Sequence, residues 1–65
     1  MDPTKCYFEM HAAMNAGDLV SGRERALALK EWLDRGGFYP LGCAAIDVDA
    51  YLADVLRRTV DVELE

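Results

Sequence analysis

From Thr4 to Ala16 the residues Tyr7, Met10 and Met14 recur at i, i+3 and i+7 with Cys6 beside them, the single stripe of an amphipathic helix. Asp2 or Thr4 is placed to cap its start. Asn15-Ala16-Gly17 predicts its end, because asparagine and glycine tolerate the left-handed conformation that closes a helix. A second helix is predicted over residues 21–35, where Ser21-Gly22-Arg23-Glu24 has the form of a capping box. Its apolar face is Ala26, Leu29, Trp32 and Leu33, and Glu31 precedes Arg35 at the favourable i, i+4 spacing on the other side. A third helix is predicted over 47–59, opened by Asp47 and Asp49, whose carboxylates suit the partial positive charge of a helix N-terminus. Val48, Leu52 and Val55 line its core face, Tyr51 and Leu56 flank it, and Asp54 is spaced to pair with Arg57 or Arg58. In the tail, Val60, Val62 and Leu64 alternate with acidic residues as in a strand, while Leu56, Val60 and Leu64 fit a continuing helix. Leu64-Glu65 also resembles a cloning remnant.

Between the second and third helices runs GGFYPLGCAAI, residues 36–46. Gly36 reads as the helix C-cap, and Pro40 pushes Tyr39 toward an extended backbone. The segment is apolar and longer than most helix connections, so it is expected to pack down, with Phe38, Leu41 and Ile46 closing the end of the core as a lid. The fold class this predicts is all-α: one domain over 1–65, a small three-helix bundle around Trp32 with an antiparallel first pair.

The chain has 65 residues, 52% hydrophobic and 29% charged, a globular composition. A domain of this size buries only about 60% of the surface its unfolded chain exposes, so its stability is slender and a staple such as oligomerisation is expected. The N-terminus shows no basic region followed by an apolar run, and no segment approaches the roughly 20 apolar residues that cross a bilayer, so a cytoplasmic location without membrane contact is expected. There the two cysteines would stay reduced. The net charge of −5 is concentrated in residues 47–65, which carry −4. Binding a phosphate backbone requires clustered cations, and none are clustered here, so nucleic acid is not an expected partner.

Candidate chemistry is sparse. Cys43 as a nucleophile with His11 as base would need a depressed thiol pKa, which Cys43 gains only if a helix begins at Gly42. Cys6 and His11 lie about 140° apart around a helix and cannot hold one metal ion together. Cys6, Met10 and Met14 share a face and are soft ligands suited to copper(I), although methionines at helical spacing fill cores. No catalytic, cofactor or metal residue is therefore assigned. Phe8 and Leu27 fall off the core stripes, and with Phe38, Tyr39 and Pro40 they form the expected interaction surface. The function this points to is a non-catalytic protein–protein interaction module or homodimer. The rival is a small ligand- or metal-binding domain using Cys43 and the 36–46 loop.

Overall fold

The computed structural model describes residues 2–62, which form three helices: α1 (Pro3–Asn15), α2 (Leu19–Asp34) and α3 (Ala45–Arg58). The all-α three-helix architecture predicted by the apolar stripes is the one observed. Asp2 caps α1, its carboxylate accepting from the amides of Thr4 (3.0 Å) and Lys5 (3.2 Å). At the other end Gly17 takes φ +77°, and its amide and that of Asp18 return to the carbonyls of Met14 and Ala13, closing a Schellman motif.

Asp18 does two jobs. Its amide finishes α1 while its side chain accepts from the Ser21 amide at 3.2 Å and caps α2. The second helix therefore begins two residues before the predicted Ser21 box, which is not used. An aspartate is as good a cap as a serine, and the earlier start adds Leu19 and Val20 to the helix. Gly22 then falls inside α2 at its contact with α1, where an added Cβ would stand 2.5 Å from the Met14 sulfur.

Cys6 donates to the Arg25 carbonyl (3.3 Å) near one end of the α1/α2 seam and Met14 abuts Gly22 near the other, so the pair is antiparallel. Arg23 reaches the Leu56 carbonyl and the Thr59 hydroxyl (both 3.4 Å), whereas Tyr39, beyond the far end of α2, bonds Asp49 near the start of α3. The third helix thus runs antiparallel to α2.

Met10, Leu29, Val48 and Val55 are fully buried and form the centre of the core, with Cys6, Tyr7, Met14, Ala26 and Leu52 around them. Trp32 is not that centre. It is half-buried at the rim, where its indole N–H donates to the Phe38 carbonyl at 3.0 Å. An indole needs an acceptor, and the rim supplies one that the apolar centre lacks.

The predicted lid is also different. Phe38, Leu41 and Ile46 are 61%, 75% and 77% exposed. Pro40 is buried in their place, with Tyr39 and Cys43 half-buried, because the Leu41 amide is tied to the Thr4 hydroxyl at 2.9 Å and turns the chain inward at Pro40. The third helix starts at Ala45, not Asp47, with Ala44 as an N-cap that makes no side-chain bond and Asp47 in the first turn. It ends at Arg58. Thr59 is fully buried, donating to the Val55 carbonyl at 2.7 Å, and residues 60–62 form neither a strand nor a further helical turn. Leu64-Glu65 lies outside the described residues.

Candidate functional site

The antiparallel packing of α2 on α3 leaves an open groove of about 390 Å³ along their outer seam. Leu33, Leu52 and Leu56 form its floor and Ala53 its α3 lip. Leu52 is buried and Leu33 and Leu56 are half-buried, so the floor is the outer edge of the core itself. The rim is polar. On α2, Lys30 Nζ pairs with Asp34 at 2.8 Å. Across from it the Tyr39 hydroxyl donates to both carboxylate oxygens of Asp49, at 2.9 and 3.1 Å. That bond holds the Tyr39 phenol above its ordinary pKa, since ionising it would set two negative charges together.

Helical spacing extends both walls. Leu27, Lys30 and Asp34 stand at i, i+3 and i+7 and share one side of α2; Ile46, Asp49 and Ala53 have the same spacing on α3. Leu27 and Ile46, both exposed leucine or isoleucine side chains, thus continue the groove's walls beyond its polar rim.

Of the five residues expected to form an interaction surface, Leu27 stands one turn before the lining residue Lys30, and Tyr39 lines this groove. Phe8 does not. It is exposed on α1, past the Tyr7 and His11 side chains that face Tyr51 of α3. Phe38 rests edge-on against Trp32, ring centroids 5.6 Å apart, and Pro40 is buried. Lys30, Asp34, Asp49 and Ala53 were not expected at a site. Each reads on its own helix as solvent-facing, and only the register of α2 against α3 brings them together.

No hydrogen bond among the described residues joins Cys43 to His11. Cys43 lies one residue before the Ala44 N-cap of α3, and its thiol points to the Leu41 carbonyl at 3.7 Å. His11 is occupied elsewhere, stacked on Tyr51 (centroids 3.9 Å, planes 13° apart) and edge-on to Tyr7 (4.6 Å). Among the described residues no three His, Cys, Asp or Glu side chains gather as metal ligands, and Met10 is wholly enclosed in the core. Burial raises the Cys6 thiol pKa. Mass spectrometry after a brief exposure to iodoacetamide is expected to find Cys43 labelled in the folded protein and Cys6 labelled only after unfolding; equal labelling of both would contradict the assigned burial.

Burial against the two phenols also lowers the His11 pKa from its ordinary value of 6.5. The unfolded chain then binds the proton more readily than the folded one, so His11 favours folding fully above about pH 6.5 and that contribution is lost as pH falls through the lower folded value. Asp18, bonded by the Ser21 amide, and Asp54, bonded by Arg57, have lowered pKa values and push the same way, but only near and below about pH 4. Urea midpoints measured from about pH 7.5 down to about pH 5.5 should fall, and fall less in His11→Asn. Equal slopes in the two proteins would mean that His11 is not the group responsible.

None of the described helices is long and apolar enough to cross a membrane. Comparison with known proteins finds no family model, curated protein or solved structure that matches this chain.

Proposed function

We propose that this domain is a non-catalytic protein-interaction module whose contact surface is the α2/α3 groove. The observation that carries this reading is the groove's construction, an apolar floor continuous with the core and bordered by a paired polar rim. Interaction sites on small domains have this layout, an apolar centre that binds and a polar margin that orients. Exposed Leu27 and Ile46 on the flanking walls enlarge the apolar area that a partner would cover. A partner in the groove would also supply the additional burial that a domain of this size lacks.

The test is positional. A photo-crosslinking side chain at position 53, on the groove lip, should join the domain covalently to a polypeptide in cells. The same group at position 28, exposed beside Glu31, Trp32 and Arg35 on the other side of α2, should not. Crosslinks of equal yield at both positions, or at neither, would overturn the reading.

A further inference from the structure

We propose that the groove's occupant is an amphipathic segment of another protein, with apolar anchors flanked by lysine or arginine. This rests on the groove being the contact surface and adds the chemistry of what fills it. The floor of Leu33, Leu52 and Leu56 offers no hydrogen-bonding side chain, so the part of the partner that enters must be apolar. The rim sets the rest. Lys30 is the rim's one cation among the described residues, and its charge is met by Asp34 at 2.8 Å. Asp49 receives only the neutral hydroxyl of Tyr39, and no ion pair among the described residues reaches it. One carboxylate thus stands uncompensated over the groove.

Charge also decides between a foreign partner and a second copy. Each copy carries −5, and two grooves face to face would bring two uncompensated Asp49 carboxylates together in a site that excludes water. A segment with Lys or Arg beside its apolar anchors places the opposite charge there. Geometry suits a helix. The 14 residues of α3 run about 21 Å, room for three to four turns laid alongside, with anchors at i, i+4 and i+7.

The probe is a fluorescein-labelled helical peptide with leucines at i, i+4 and i+7 and lysines on both flanks, set against an otherwise identical peptide with glutamates. Fluorescence anisotropy with the full chain at low salt should show the lysine peptide binding at least about tenfold more tightly, with the difference narrowing at about 0.5 M salt. Asp49→Asn keeps an acceptor for Tyr39 but removes the charge, and should shrink the difference severalfold. Ala53→Gln places a neutral side chain in the groove and should weaken the lysine peptide about tenfold, with the circular dichroism spectrum unchanged. Equal binding of the two peptides, or lysine-peptide binding indifferent to Ala53→Gln, would overturn the proposal. So would a concentration-dependent dimer in native mass spectra that Ala53→Gln dissociates. That result makes the occupant a second copy and leaves the groove as the contact surface. Loss of the position-53 crosslink as well would remove the groove reading itself.

Discussion

Leu29→Ala should leave little folded protein at 37 °C. Leu29 has no exposed surface and sits among Met10, Val48 and Val55, so its removal leaves a cavity bounded by all three helices. Truncating a leucine in such a place costs about 3 kcal/mol or more, the transfer free energy of the lost methyls plus the cavity they leave. A single core in a chain of this length supplies roughly 3–5 kcal/mol in total. The mutation thus removes most of what holds the fold. Thermal unfolding followed at 222 nm should show a broad transition beginning near room temperature. Phe8→Ala, on the exposed face of α1, should stay within about 0.5 kcal/mol of wild type. A Leu29→Ala cost comparable to that of Phe8→Ala would mean that the core is centred elsewhere.

The second large effect is expected at a glycine. Gly36 and Gly37 end α2 as a Schellman motif, their amides returning to the Leu33 and Trp32 carbonyls at 3.0 and 2.9 Å. They look interchangeable in sequence and are not. Gly36 has φ +87° with open space around its missing side chain, so Gly36→Ala suffers only the left-handed backbone penalty of about 1 kcal/mol. An alanine at Gly37 would drive its Cβ into the Trp32 indole. The ring must swing out, which breaks its bond to the Phe38 carbonyl and separates it from the Phe38 ring. Overpacking of this kind costs about 1–3 kcal/mol. Trp32 is the single tryptophan, so fluorescence reports the difference directly. Gly37→Ala should red-shift its emission while Gly36→Ala leaves it in place. A shift in both, or in neither, would contradict the assigned contacts.

How much was legible beforehand depended on whether the determining interaction was local. The stripes Tyr7, Met10, Met14 and Val48, Leu52, Val55 are helix periodicities, and each predicted the face that is buried. Gly17 and Gly36 were readable as C-caps because a left-handed residue after a helix is a one-residue requirement. The start of α2 was misplaced because two local signals competed, and Asp18, already fixed by the end of α1, took precedence over Ser21. Trp32 and the 36–46 loop were misjudged for a different reason. Hydrophobicity predicts that such residues seek burial, but only the tether from Leu41 to Thr4 decides that Pro40 turns inward while Phe38, Leu41 and Ile46 face out. The groove is the least local feature of all. Leu27 was visible as an apolar residue off the core stripe, but the facing of Lys30 and Asp34 on one wall toward Asp49 and Ala53 on the other depends on the register between two helices 10 or more residues apart.

That register makes the groove a specific place on the surface, and nuclear magnetic resonance can read it residue by residue. The most direct measurement is a ¹H–¹⁵N correlation spectrum of the folded domain titrated with the lysine-flanked peptide. If the α2/α3 groove is the contact surface, the amides that move should cluster at Lys30, Leu33, Asp34, Asp49 and Ala53, with Phe8 and Ala28 unmoved. Shifts gathered around Phe8 and His11, or shifts spread evenly over the surface, would contradict it.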